Sequence, residues 1–205
     1  MVHEAAEFMQ DSGCRYCDLN KHEPLMIESN AGYVVPSIGA MVEGWLLVFP
    51  KRHVLALSEL TNDEWVEFQS LVGLARASSE GEFGPTILFE HGSAGVGRAA
   101  ACGVNHAHMH VVPLKIDLRA AISECSKDVG TYEWSRVTDR PDSVLEQDYL
   151  YVSDDTGDWV ARSSWLPGQV VRRAIARFLG LEVWDWKVDA HLDLVESTRR
   201  KLKAA

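Results

Sequence analysis

The sequence predicts an α+β fold, in which a five-stranded antiparallel sheet packs against one long helix. Three short apolar runs with turn-forming residues between them lead into a capped amphipathic segment, and two more apolar runs follow it. Beyond Pro113 the sequence becomes more polar and its periodicity weakens. We therefore divide the 205-residue chain into a core, residues 1–114, and an α/β C-terminal extension docked on it, residues 115–205.

The five predicted strands are short apolar runs bounded by turn residues. Asn30 and Ala31 separate the first two, as in a tight turn of an antiparallel meander. A loop rich in glycine and alanine, residues 92–103, separates the last two. In chain order the runs are PLMIES (24–29), GYVVPS (32–37), GWLLVFP (44–50), TILFEH (86–91) and NHAHMHVVP (105–113).

The segment between the third and fourth strands has the pattern of an amphipathic helix. Thr61 can cap its N-terminus, and Glu64 three residues later completes a capping box. Gly81, followed by Gly84 and Pro85, marks its end. Such a helix buries its apolar stripe in the core. The residues of that stripe are Trp65, Phe68, Leu71, Val72 and Ala75.

The extension is predicted to contain one hairpin and two helices. The runs DYLYV (148–152) and WVARSSW (159–165) flank the turn SDDTGD (153–158), which indicates a hairpin. The run QVVRRAIARFLG (169–180) has helical spacing and ends at a glycine. A second, charged helix is expected over about 189–203.

Charge and hydropathy narrow the class of protein. Thirty acidic and twenty basic residues give a net charge of −10, which disfavours a partner bound through many backbone phosphates, such as a nucleic acid polymer. No apolar run reaches the ~20 residues of a membrane-spanning helix. The acidic N-terminus MVHEAAEFMQ lacks the features of a signal peptide. We therefore expect a cytoplasmic protein with no membrane partner.

Three of the eight histidines fall within five positions of the last strand. On a strand, alternate side chains share a face about 6.6–6.8 Å apart, so His106, His108 and His110 form a row about 13 Å long. One ion holds nitrogen ligands at about 2.0–2.1 Å, so all three rings are hard to bring to it. Two neighbouring histidines can share a metal, or each can have its own task.

The pair Cys14 and Cys17 forms the motif CRYC near the N-terminus. In a reducing compartment this spacing indicates a metal site or a redox pair. A redox motif of the thioredoxin kind follows a strand, and the preceding FMQDSG is not strand-like, which favours a metal. Two incidental thiols remain the alternative.

These residues resemble the histidine-triad (HIT) superfamily of nucleotide-binding hydrolases and transferases. NHAHMHVVP is similar to its motif His-φ-His-φ-His-φ-φ, where φ is apolar, and GWLLVFPKRHV (44–54) is similar to the strand and turn before its helix. CRYC stands where zinc-containing members carry their CxxC motif. The resemblance covers roughly residues 12–114.

The resemblance implies a nucleotide phosphohydrolase that cleaves at the α-phosphate of a nucleotide conjugate. His108 would be the nucleophile that forms a nucleotidyl-histidine intermediate, and His110 would contact the phosphate or help to protonate the leaving group. A nucleotidyltransferase or phosphorylase, with phosphate or a sugar phosphate as acceptor, is the alternative. A non-catalytic nucleotide-binding protein is another. We also expect a homodimer, as in relatives.

The resemblance also implies one structural zinc ion. Cys14, Cys17, His53 and His106 would hold it and leave no open position. In the rival arrangement, His106 and His108 bind a catalytic zinc that carries water.

The sequence departs from the family in the loop before the triad. Ala101, Cys102 and Gly103 stand where many members have a glycine, a glutamine and a hydroxyl residue, of which the polar pair contacts phosphate. Backbone amides of this loop or the start of the 169–180 helix can hold an anion instead. For Arg98 and Arg172, the alternative is a solvated position on the protein surface. The candidate substrate-binding residues are His91, Arg98, Gly103, Gln169 and Arg172.

Overall fold

All strands that the structure describes join one antiparallel sheet. The structure is a computed structural model that describes residues 14–17, 25–93, 105–126, 132–138, 147–163 and 168–204. The spatial order of the strands is β1-β2-β3-β5-β4-β7-β8-β6. The strands are β1 (Ile27–Glu28), β2 (Gly32–Pro36), β3 (Leu46–Pro50), β4 (Ile87–Gly92), β5 (Met109–Val112), β6 (Trp134–Val137), β7 (Asp148–Asp154) and β8 (Gly157–Ser163).

The predicted fold class is confirmed, but the predicted number of strands is wrong because the sheet has eight. Strands β1 to β5 correspond to the five predicted runs, and the extension adds the other three. Strand β7 pairs with β4, and the predicted β7–β8 hairpin is present. Patterns of apolar residues predict where strands form. They do not predict which strand of the sheet a distant strand will pair with.

Helices cover both faces of the sheet. The helices are α1 (Asn62–Phe83), α2 (Leu118–Ser126), α3 (Val170–Leu179) and α4 (Leu192–Ala204). Helix α1 packs with the buried residues of one face, and α2 and α3 pack with those of the other. Neither α2 nor β6 was predicted, because residues 115–147 are polar with weak periodicity. Among the described residues, no helix combines the length and apolar character needed to cross a membrane.

Helix α1 begins and packs as the sequence predicts. The hydroxyl of Thr61 accepts a hydrogen bond from the backbone N–H of Glu64, whose carboxylate accepts one from the N–H of Thr61. Gly81 lies inside the helix, which ends at Phe83. All five residues of the predicted apolar stripe are buried.

The turn before β3 fastens the two helices on the α1 face. The N–H of Gly44 donates to Thr198 Oγ1 on α4 over 2.9 Å, and Ser79 of α1 donates to the Gly44 carbonyl over 2.9 Å. Gly44 has φ +80°, and the ring of Phe83 fills the space that a Cβ would occupy. Glycine is thus required here for two independent reasons.

The histidine row is only partly strand. Strand β5 begins at Met109, so His106 and His108 precede it and only His110 belongs to the ladder. The ring centroids of His108 and His110 lie 4.8 Å apart, closer than the spacing that a regular strand predicts. Because His106 and His108 lie outside the hydrogen-bonded strand, their side chains can face different neighbours.

Candidate active site and metal centre

Four metal-ligating side chains from three separate segments converge on one point. Cys14 Sγ lies 3.6 Å from His106 Nδ1, and Cys17 Sγ lies 3.8 Å from the same atom and 3.4 Å from His53 Nδ1. All four ligand atoms lie within 4.8 Å of one another. A tetrahedral ion at about 2.3 Å from sulfur and 2.0–2.1 Å from nitrogen separates such atoms by about 3.6 Å. The cluster can therefore hold a metal ion.

The hydrogen bonds of His106 suit a metal ligand. Its Nε2 donates to the carbonyl of Pro50 over 2.8 Å, which leaves Nδ1 as the unprotonated nitrogen facing the thiols. Burial lowers the pKa of His106 to about 4, so the ring is neutral at pH 7. Metal binding requires this neutral form.

His108 is fixed in the tautomer that a nucleophile needs. Its Nδ1 lies 2.9 Å from the carbonyl oxygen of His106 and must be the donor, because a carbonyl only accepts. The lone pair of the neutral ring is then on Nε2. The ring is buried and stacks on Phe49 with centroids 5.0 Å apart.

His110 has the opposite arrangement of its nitrogens. The indole N–H of Trp45 donates to His110 Nδ1 over 3.0 Å, so the proton of the neutral ring is on Nε2. Phe89 stacks on the ring with centroids 4.1 Å apart and planes 11° apart. Burial holds the pKa of His110 well below its usual value of 6.5, and the ring is therefore uncharged at pH 7.

A cleft lies beside His108 and His110, and its wall is largely apolar. Strand β3 contributes Phe49 to the wall, and the extension contributes Arg172 and Trp186. Both parts of the chain therefore build the cleft.

The turn that carries Cys14 and Cys17 lines the same cleft. Arg15 and Tyr16, which separate the two cysteines, both face it. Tyr16 stacks on Phe49 with centroids 4.9 Å apart and planes 11° apart. Because Phe49 also stacks on His108, an aromatic column joins this turn to the histidine row.

Arg172 is the buried cation of the cleft. Only 5% of its surface is exposed, so the alternative of a solvated arginine is wrong for this residue. Its guanidinium donates to the carbonyls of Gly39 and Trp184 and lies 5.2 Å from the centre of the Trp45 ring. These contacts fix a positive charge next to His110.

A buried carboxyl lies behind the histidines. Glu90 of β4 accepts hydrogen bonds from the hydroxyl of Tyr149 on β7 and from the N–H of Leu57, each over 2.6 Å. The Tyr149 hydroxyl in turn accepts from the N–H of Ser58 over 3.2 Å. Burial raises the pKa of Glu90 to about 7 despite these bonds. The network ties the extension to the loop that follows His53.

One protein-family model matches part of the chain. The family model described as the HIT domain matches residues 19–116. This chain carries a HIT domain. The HIT domain contains His53 and the three histidines of the row, whereas Cys14, Cys17, Arg172 and Trp186 lie outside the matched range.

Solved structures are similar to part of the chain. A hypothetical histidine triad nucleotide-binding protein from Sulfolobus tokodaii is 20% identical, with 49% of this chain and 68% of that one covered and a TM-score of 0.42. SMU.412c from Streptococcus mutans is 18% identical, with 63% and 94% covered and a TM-score of 0.43. A hypothetical protein from Leishmania major is 21% identical, with 51% and 75% covered and a TM-score of 0.42. No curated protein matches the chain.

The other predicted substrate-binding residues lie away from the cleft or outside the described residues. Gln169, just before α3, donates to Asp185 over 3.3 Å and does not line the cleft. His91 also does not line it, and its Nε2 is buried without a hydrogen-bond partner among the described residues. Burial lowers the pKa of His91 to about 4. Arg98 and Gly103 of the HIT domain lie outside the residues that the structure describes.

Sequence reasoning did not assign four residues to this site: Trp45, Trp186, Glu90 and Tyr149. Glu90 had a signal, since it is a charged residue at the end of an otherwise apolar strand, TILFEH. The two tryptophans had none, because an apolar side chain in the core and one at a ligand site look alike in a sequence.

Proposed function

We propose that this protein is a nucleotide phosphohydrolase of the histidine-triad type, which cleaves at the α-phosphate of a nucleotide conjugate. The single observation that carries this proposal is the bond from His108 Nδ1 to the His106 carbonyl, because it directs the lone pair to Nε2 in a ring that lines a cleft. A neutral imidazole with this tautomer is a competent nucleophile toward phosphorus.

The reaction then proceeds in two displacements. His108 Nε2 bonds to the α-phosphorus as the bond from phosphorus to the leaving group breaks, which gives a nucleotidyl-histidine. Water next attacks phosphorus and gives up a proton to solvent, the bond to Nε2 breaks, and the nucleoside monophosphate leaves with His108 restored. His110 donates a hydrogen bond from Nε2 to the phosphate or the leaving group. Because loss of that proton would leave an imidazolate, solvent supplies the proton that the leaving group needs.

Zn²⁺ suits the cluster of Cys14, Cys17, His53 and His106. Two thiolates and two imidazoles fill a tetrahedral coordination shell, and such an ion stabilises the fold rather than activating water. The convergence of these four ligand atoms within 4.8 Å of one another, in a cluster that does not include His108, favours this arrangement over the rival one, in which His108 binds the ion. In a fully coordinated site the zinc joins the N-terminal turn to the catalytic segment.

The cleft favours Arg172 among the candidate substrate-binding residues. A buried guanidinium beside the two histidines suits a phosphate oxygen. The roles of Gln169, His91, Arg98 and Gly103 stay predictions, as does a homodimer. An acidic chain with one cationic cleft also fits a small phosphorylated ligand better than a nucleic acid polymer.

Turnover of model substrates tests the function. We expect the protein to release AMP from at least one of an adenosine phosphoramidate, a dinucleoside polyphosphate and a nucleotide sugar. His108→Ala should lower kcat at least a hundredfold while the protein still folds and binds AMP. Turnover by this variant within about tenfold of the parent would rule out the nucleophile assignment. A nucleoside diphosphate formed only with added phosphate would identify a phosphorylase, and no turnover of any substrate would favour a binding protein.

A further inference from the structure

The hydrogen bond between Trp45 and His110 joins two residues 65 positions apart in the core of the protein. Trp45 is fully buried just before β3, and its ring meets the His110 ring edge-on with centroids 5.7 Å apart. An indole N–H can only donate, so the protonation of His110 has to adapt to it. The Nδ1–H tautomer would set two donors against each other in a buried place, which is costly.

The aromatic neighbours prevent the ring from escaping this constraint. Phe89 stacks on one side of His110 and also contacts the edge of Trp45, with centroids 6.0 Å apart. A flip of the imidazole would replace Nδ1 with a carbon at the indole N–H and leave that donor unsatisfied. The packing therefore holds both the position and the tautomer of His110.

Helix α3 of the extension supports Trp45 in turn. The guanidinium of Arg172 lies 5.2 Å from the centre of the Trp45 ring, a distance at which a cation is attracted to an aromatic face. The carbonyl of Gly39 and the carbonyl of Trp184 anchor the guanidinium. Gly39 permits the close approach of the extension, since Trp186 occupies the space that a Cβ would fill.

We propose that Trp45 and Arg172 are positioning residues for His110, through which the C-terminal extension conditions the HIT-domain site. Trp45 directs the proton of His110 to Nε2, and Arg172 holds the indole in place. The consequence for catalysis rests on the proposed function, in which His110 donates from Nε2. The tautomer itself is a property of the ligand-free protein and does not depend on any substrate.

Nitrogen-15 NMR of histidine-labelled, ligand-free protein tests the tautomer directly. We expect His110 in the parent to be protonated at Nε2. Trp45→Phe keeps an aromatic ring and removes the donor, so the ratio of the Nε2–H to the Nδ1–H form should fall about three- to tenfold. Trp159→Phe, which removes a half-buried indole of β8 whose N–H donates to Thr156, should leave the ratio unchanged. A parent His110 protonated at Nδ1, or an unchanged ratio in Trp45→Phe, would overturn the role of Trp45.

Arg172→Met tests the second part of the inference. It should shift the same ratio in the same direction by about twofold or more, because a loosened indole weakens the bond to Nδ1. Arg177→Met on the same helix removes an exposed cation and should have no effect. An unchanged tautomer ratio in Arg172→Met would limit the role of that residue to the cleft and overturn its positioning role.

Two further measurements keep the outcome clear if a variant does not fold or the function is different. In the parent, a nitrogen–nitrogen coupling across the hydrogen bond should connect Trp45 Nε1 with His110 Nδ1, and its absence would contradict the inference. On an active substrate, Trp45→Phe should lower kcat about tenfold with KM changed less than about twofold, since ground-state binding is retained. A protein that turns over no nucleotide but shows the Nε2–H form would refute the proposed function and leave the tautomer assignment standing.

Discussion

Replacing Glu90 with glutamine should change how the stability of the protein depends on pH. The pKa of Glu90 is raised from its ordinary 4.5 to about 7, chiefly because the carboxyl is buried, with 1% of the residue exposed. Between these two values the folded protein holds a proton that the unfolded chain has released. The stability contributed by the protonated carboxyl is thus fully present below about pH 4.5 and is lost as the pH rises toward 7.

The magnitude follows from the two pKa values. At about 1.4 kcal/mol for each pH unit, the loss amounts to about 3 kcal/mol, most of which falls between pH 5 and pH 8. Glu90→Gln resembles the protonated carboxyl at every pH and escapes this loss. Its free energy of unfolding, minus that of the parent, should therefore rise by about 2–3 kcal/mol over the same interval. The buried neutral histidines act in the opposite direction but are common to both proteins, so the difference cancels them.

Urea denaturation followed by tryptophan fluorescence measures this difference. Free energies of unfolding of the parent and Glu90→Gln would be extrapolated to water at several values of pH. Glu67→Gln, an exposed carboxyl on α1, is the matched control and should give a constant difference. Parallel curves for the parent and Glu90→Gln would refute the reasoning, because they would mean that Glu90 ionises as easily in the folded protein as in the unfolded chain.

Three further predictions concern the metal, a helix cap and a glycine. Elemental analysis of protein purified without chelator should find one zinc per chain, lost in Cys14→Ser and retained in His108→Ala; zinc that leaves only with His108 would contradict the structural site. Thr61→Ala should lower the free energy of unfolding by about 1 kcal/mol in urea denaturation, since the α1 cap is lost, and no change would mean that water replaces it. Gly44→Ala should destabilise the protein by about 1–3 kcal/mol because φ is positive there and Phe83 blocks the Cβ, and a rise in Tm would contradict that steric argument.

Local patterns predicted most of the core correctly. The capping box at Thr61 and the five-residue apolar stripe identify α1, because a helix is built from contacts between residues three or four apart. The β7–β8 hairpin and the glycine that ends α3 are likewise encoded within a few residues. The polar stretch of residues 115–147 hides α2, whose apolar side is narrow: Leu118 and Ile122 are its fully buried apolar residues.

The site depends on contacts that no local pattern encodes. The histidines were found because they stand two apart in the sequence, yet the tautomer of His110 depends on Trp45, 65 positions away. The bond between Glu90 and Tyr149 spans 59 positions, and that from Arg172 to Gly39 spans 133. Within its own segment, each of these residues looks like a normal strand, helix or core residue. Only the three-dimensional arrangement shows which of them contact one another.

The place of β4 in the sheet has a practical consequence for protein engineering. This strand lies between β5 and β7, and its register with β7 runs from Leu88 to Gly92. A fragment trimmed at residue 114 would leave that side of β4 as an open rim of unpaired amides and carbonyls next to apolar side chains. An exposed strand edge can pair with the same edge of another molecule. The fragment should therefore form amyloid-like or domain-swapped assemblies. Studies of the histidines therefore need the extension as well as the HIT domain, even though the family match ends at residue 116.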